Sequence, residues 1–309
     1  MKRLADQSRL LQQARKSDRA GQSITLRVWV LRTFLRASLI PSVILIVFFL
    51  IIYSFANYFT RTESAAIVAS NARGSLSEMS RLEANSIEQE LMSVHHATDM
   101  YRLQAQVALK TPQSFDPQDE SRLVFSPDGA YYAQADKPEG GAAVYYSGYV
   151  PVGEAEQAKV ARALQLEALM KHIIQTEPLA ASIYLNTHDS LNVIYPFFDV
   201  IKQYPPLMNI PTYNFYYEAD LAHNPQREVR WTDAYLDPAG HGWMTSAIAP
   251  VYTGDFLEGV VGIDVTIETI ASKVLKLDFP WDGYGVLLGK DGTILALPRA
   301  GELDWGLDE

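Results

Sequence analysis

The sequence predicts an α+β protein: one N-terminal transmembrane helix, a long helix beyond it, and a domain of mixed helices and short strands. Three observations carry this expectation. Residues 37–60 are 24 consecutive uncharged positions. Residues 62–110 contain no proline and a single glycine, Gly74, while apolar side chains recur mostly three and four apart through Leu76, Met79, Leu82, Ile87, Leu91 and Val94, the stripe of an amphipathic helix. From Thr111 onward, proline and glycine turns separate short β-prone runs, as in a small sheet.

The centre of the uncharged run, residues 43–52, is entirely aliphatic or phenylalanine. At about 1.5 Å per residue the run covers a hydrocarbon core of about 30 Å. Pro41 belongs to its first turn, where a missing N–H costs little, and Tyr53, Tyr58 and Phe59 reach the far interface. The run is longer than the apolar core of a cleaved signal, and Arg61-Thr62-Glu63 follows it in place of a small-residue cleavage site. Residues 1–36 carry nine Lys or Arg against Asp6 and Asp18, a net of +7, so the chain total of −10 leaves −17 for residues 37–309. Positive charge on the short side predicts a cytoplasmic N-terminus, with attraction to anionic lipid headgroups, and an acidic domain on the far side. No aromatic residues interleave with the basic ones, which argues against nucleic acid as a partner. The chain has no cysteine, so a disulfide framework, a thiolate metal site and a cysteine nucleophile are excluded, and a periplasmic location remains open.

Beyond the long helix, Ser126-Pro127-Asp128-Gly129 and Glu139-Gly140-Gly141 bound short strands such as Leu123-Val124-Phe125 and Ala143-Val144-Tyr145-Tyr146. Residues 154–176 read as one helix with an acidic start. Residues 181–185 and 191–195 flank Thr187-His188-Asp189-Ser190 as a hairpin, residues 244–252 and 257–266 as two further strands, and residues 267–277 as a helix. A fresh hairpin, residues 285–289 and 293–297 around Lys290-Asp291-Gly292, follows it. One module is complete and another has begun.

Three stretches in order carry a resemblance: Trp231-Thr232-Asp233-Ala234-Tyr235-Leu236-Asp237-Pro238-Ala239-Gly240, then Met244-Thr245-Ser246 with Ala249-Pro250-Val251-Tyr252, then Gly259-Val260-Val261-Gly262-Ile263-Asp264. Behind an anchor and a long helix, this set resembles the double-Cache extracytoplasmic sensor domains of bacterial histidine kinases, chemoreceptors and cyclic-nucleotide signalling enzymes, over about residues 61–300. The resemblance implies a cytoplasmic basic flank at 1–36, a span at 37–60, a stalk helix at 61–110, a PAS-like membrane-distal Cache module with the ligand pocket at 111–270, and a connector helix with an incomplete membrane-proximal module at 271–309. It implies residence in a bacterial inner membrane, a homodimer through the long helix, and, past Glu309, the rest of the second module, a second span and an effector, so that the chain is a fragment or a truncated receptor. Members that bind amino acids carry an Arg-x-Trp-Tyr stretch, an Asp in a Tyr-x-Asp turn, and an Asp ending a Gly-rich strand. Here Asp237 (beside Tyr235) and Asp264 match the two aspartates. Asn214-Phe215-Tyr216-Tyr217 matches the first stretch in part, with Tyr216 for Trp, Tyr217 kept, and Asn214 in place of Arg.

Asn cannot replace the bidentate charge with which Arg grips a carboxylate; Arg227 and Arg230, on the adjoining loop, are the candidates to compensate. Independently of the family, two carboxylates near Tyr213, Tyr216, Tyr217 and Tyr235 suit an ammonium group, each cation–π contact being worth about 0.5–2 kcal/mol. The alternative is plain packing, with Tyr-rich strands as core and Tyr-x-Asp-Pro as a turn capped by its own Asp. Asn214, Tyr216, Tyr217, Tyr235, Asp237 and Asp264 are therefore the candidate ligand-binding residues, for an amine or amino-acid-like small molecule. No cofactor motif or phosphate-binding loop is present, no catalytic residue stands out, and His95-His96 point about 100° apart on a helix, a poor metal pair. The rival readings are a membrane-anchored periplasmic enzyme and an assembly protein acting through its long helix.

Overall fold

The computed structural model describes residues 25–238, 240–277, 279, 283–289 and 292–307; residues 1–24 of the basic flank, Ala239, and Lys290-Asp291 of the last hairpin lie outside them. The chain divides into two units, Met1–Ser75 and Leu76–Glu309.

The described residues of the first unit, from Leu26 on, are helical. Helix α1 (Leu26–Phe34) passes through a π-helical turn (Leu35–Leu39) into α2 (Ile40–Ala108). The sequence places Pro41 in the first turn of the span; instead, helix precedes it. The wider turn takes up the clash that a proline ring makes with the carbonyl four residues back. Residues 37–60 are exposed throughout, in a helix long and apolar enough to cross a membrane.

In the second unit, α2 continues to Ala108, where Val94, Thr98, Tyr101, Ala105 and Ala108 are buried, the i, i+4, i+7 pattern of a helix laid on a core. After α3 (Pro117–Arg122), capped by Asp116 and absent from the sequence reading, come β1 (Leu123–Phe125), β2 (Tyr131–Ala133) and β3 (Ala143–Tyr146). The expected helix at 154–176 is two, α4 (Glu154–Leu164) and α5 (Glu167–Thr176). The break turns Glu167 inward, where it accepts from Lys137 Nζ at 2.6 Å and the Ala142 amide at 2.8 Å. Lys137 also pairs with Asp119 and Asp119 with Arg122, both at 2.9 Å, closing a buried cluster of two cations and two anions.

Strands β4 (Ser182–Thr187) and β5 (Leu191–Tyr195) form the expected hairpin. A roof segment follows: α6 (Val200–Gln203), a 3₁₀ turn (Ile210–Thr212) and α7 (Asn214–Tyr217). Two short strands, β6 (Arg230–Trp231) and β7 (Tyr235–Leu236), both pair with β8 (Trp243–Thr253), which pairs with β9 (Phe256–Thr266). All pairings are antiparallel, in the order β1-β2-β3-β5-β4-β9-β8-β6. Helix α8 (Ile267–Leu275) starts from the side-chain cap of Thr266. A separate hairpin, β10 (Leu287–Leu288) with β11 (Ile294–Ala296), precedes α9 (Arg299–Trp305).

The central strands are buried on both faces, so each face has its own core. One gathers Tyr101, Ala105, Val160, Met170, Ile183 and Val261 beneath the helices. The other gathers Tyr145, Tyr184, Ile194, Met208, Phe215 and Ile248 beneath the roof segment. The candidate site lies in the second.

Candidate functional site

Strand alternation builds the floor. Side chains at i, i+2 and i+4 share a face, so Ser182, Tyr184 and Asn186 of β4 line up. Register sets Asp264 of β9 opposite Ser182 and Gly262 opposite Tyr184; on the other flank Asn192 of β5 stands opposite Asn186 and Ile194 opposite Tyr184. Gly262 is required by a close approach: the phenol end of the Tyr184 ring lies against it, and a Cβ there would run into the ring. This explains one glycine of the Gly-Val-Val-Gly-Ile-Asp stretch.

Asp264 is 4% exposed. Its carboxylate accepts from Ser182 Oγ, from Ser246 Oγ at 2.6 Å and from Tyr235 OH at 3.3 Å. No Lys, Arg or His among the described residues pairs with it. Burial pushes its pKa up to about 6, against the partly offsetting hydroxyl bonds from Ser182, Ser246 and Tyr235, with Asp237 adding repulsion. Burial likewise raises Tyr235 and Tyr184, each further raised by the Asp264 charge; the Tyr184 hydroxyl, 3% exposed, has no hydrogen-bond partner among the described residues.

Asp237 closes one side. It follows β7 in a turn that needs Gly240 and Gly242 at positive φ, 87° and 84°, and its carboxylate lies 2.6 Å from His241 Nδ1. The roof contributes Tyr204, Met208 and Phe215. Phe215 packs against Tyr235 at 5.6 Å, Tyr184 at 6.0 Å and Tyr213 at 5.2 Å between ring centroids. The free space in the pocket is about 20 Å³, enough for about one water molecule.

Of the six residues singled out by sequence, Tyr235, Asp237 and Asp264 converge on this pocket and Asn214, Tyr216 and Tyr217 do not line it. Residues 214–217 form one helical turn, whose side chains fan out by about 100° each, and Phe215 is the one that faces in. Tyr216 is buried toward the other end of the sheet, its hydroxyl pushed up by burial and by Asp189 and Glu258. Tyr217 is exposed and packs on His223. Arg227 pairs with Asp255 and stacks on Tyr252, and Arg230 pairs with Glu218; neither lines the pocket. Ser182, Tyr184, Asn186, Asn192, Tyr204, Ser246 and Phe215 were missed. For four of them the signal exists: polar residues alternate along β4, and Asn186 and Asn192 flank the hairpin turn symmetrically. Among the described residues, no group of three His, Asp or Glu side chains converges as metal donors.

No family model matches the chain. It is 30% identical over 126 residues to the methyl-accepting chemotaxis protein PctB of Pseudomonas aeruginosa, a stretch that covers 40% of this chain and 19% of that protein, so the chain matches about a fifth of the length of this relative. Among solved structures it resembles the ligand-binding domain of the P. aeruginosa amino acid chemoreceptor PctC in complex with GABA (21% identity, 73% of this chain and 76% of that one, TM-score 0.44). It also resembles that of PctB in complex with L-Arg (26% identity, 46% and 54%, TM-score 0.34).

Proposed function

We propose that the chain is the ligand-sensing part of a membrane-anchored receptor, with its folded domain outside the cytoplasm and a small ammonium-bearing molecule as ligand in the pocket over Asp264. The observation that carries this reading is Asp264 itself. A buried carboxylate held by three hydroxyl groups and no cation is a poor structural element, since burial of an unpaired charge is costly; it becomes favourable when a cation arrives from outside. Asp237, Tyr235 and Phe215 surround the same point with a second carboxylate and two aromatic faces. Among the described residues no Lys, Arg or His lines the pocket, so the ligand needs its ammonium group and does not need a carboxylate. The basic flank of residues 1–36 supports a cytoplasmic N-terminus, and the sequence likeness to a chemotaxis protein supports a receptor. A homodimer through α2 and an inner-membrane location belong to the same proposal.

A route out of the pocket supports signalling. Two residues past Asp264, Thr266 caps α8, accepting from the Thr269 amide at 3.1 Å, and Lys273 of α8 pairs with Glu90 of α2 at 2.8 Å. Ligand that pulls on Asp264 biases how α8 packs on α2, an effect of the usual allosteric size, about 1–3 kcal/mol. Calorimetry on the full chain in detergent micelles, with an amine and the amino acid carrying the same side chain, tests the reading. The amine is expected to bind at least as tightly, and Asp264→Asn to cost about 2–5 kcal/mol of its affinity. Tighter binding of the amino acid, or no loss in the variant, overturns it.

A further inference from the structure

The pocket has a second pole. We propose that Asn186 and Asn192 select the far end of the ligand: an elongated amine whose terminal group is neutral and hydrogen-bonding, such as a carboxamide, preferred over a carboxylate or a bare alkyl end. This rests on the amine reading of Asp264 and adds the chemistry of the other end.

Asn186 and Asn192 are 2% and 4% exposed, and both line the pocket. Asn192 Nδ2 donates to Asn186 Oδ1 at 2.8 Å, and Tyr204 OH donates to Asn192 Oδ1 at 3.3 Å. This network leaves the Asn186 amide nitrogen with no acceptor among the described residues. The Asn186 side chain lines the pocket, so an acceptor on the ligand completes the network. A carboxamide also brings a donor for the second lone pairs of the two Asn oxygens. A carboxylate brings charge to a pole that has only neutral partners, in a pocket already holding Asp264 and Asp237, and its desolvation goes uncompensated.

The spacing sets the length. Asn186 and Ser182 are four residues apart on one face of β4, and Ser182 stands opposite Asp264. The two poles are therefore about 13 Å apart along the strand, which after one hydrogen bond at each end leaves about 7–8 Å, or about six bonds, for the ligand. Tyr184, opposite Gly262 and between Ser182 and Asn186 on the same face of β4, lies between the poles beside the alkyl spacer.

Calorimetry on the full chain in micelles with 5-aminopentanamide, 5-aminopentanoate and 1-aminopentane tests this on the unaltered protein. The amide is expected to bind about tenfold or more tighter than either of the others, the gain of one or two hydrogen bonds. Asn186→Leu and Asn192→Leu should each erase that gap, so that the amide no longer binds more tightly than 1-aminopentane. Equal binding of all three, abolished by Asp264→Asn, overturns the Asn assignment and leaves the amine site standing. Tightest binding of the carboxylate or of 1-aminopentane also overturns it, and if none of the three binds, both readings fall.

Discussion

Asp189 and Asp264 lie at opposite ends of the same sheet system and are held in nearly the same way. Asp189, in the β4–β5 turn, accepts from Tyr146 OH and Thr187 Oγ1; Asp264 accepts from Ser182, Ser246 and Tyr235. Their titration goes in opposite directions. Burial pushes both up, but Lys159 Nζ, 2.6 Å from Asp189 and itself 12% exposed, joins Thr187 and Tyr146 in holding Asp189 below its ordinary value. Asp264 has no such cation and rises to about 6. Asp264 is also the more deeply buried of the two and is repelled by Asp237, so deeper burial, a like charge and the missing cation act in the same direction. One aspartate is thus paired with the chain's own lysine, and the other, on the proposed reading, takes a charge from outside.

The largest expected effect comes from making Asp189 resemble Asp264. Lys159→Met leaves a buried carboxylate without its cation and should cost about 3–5 kcal/mol of stability, read as a lower urea midpoint; an unchanged midpoint would show that the pair contributes nothing and remove the basis of the contrast. Next is the reverse experiment at Asp264. Its folded pKa, about 6, exceeds the usual unfolded value of about 4, so between those pH values the native state binds more protons than the unfolded state. Ligand-free stability should therefore fall as pH rises from 4 to 6 and level off above, by up to about 3 kcal/mol. Asp264→Asn should flatten that slope and leave the variant more stable than the parent at pH 8 while it loses amine binding. A stability that rises with pH in this window, after correction for other groups, contradicts an uncompensated Asp264. The smallest effect separates neighbours on α7: Phe215→Ala should weaken amine binding by about 0.5–2 kcal/mol through the lost ring face, whereas Tyr217→Ala should change it by less than about 0.5 kcal/mol. Equal losses would mean that the helical turn is rotated from the orientation described here.

What was legible in the sequence is what depends on local spacing. The uncharged run, the long helix, the hairpin around Thr187 to Ser190 and the pair of long strands β8 and β9 all follow from periodicity and turn residues within one segment. Even so, helix-period reasoning ran past one boundary: residues 154–176 keep a helical pattern, yet the helix breaks after Leu164, and Glu167 beyond the break bonds Lys137 and Ala142, which are distant in sequence.

Local chemistry also marked Asp237 and Asp264, because a turn needing two glycines and a strand ending in aspartate are visible as strings. Whether Asp264 has a counter-ion is a different kind of fact. It depends on which side chains of β4, β8 and the roof segment reach the same point, and on the Lys159 that reached Asp189 instead. The sequence by itself determined the class of the chain, its anchor and the two carboxylates; only the tertiary structure decided that Phe215 rather than Tyr216 or Tyr217 faces them, that Arg227 and Arg230 are committed to Asp255 and Glu218, and that two asparagines share the pocket. The reason is that direction around a helical turn and register between strands 82 residues apart along the chain, as for Ser182 against Asp264, are set by packing of the whole sheet.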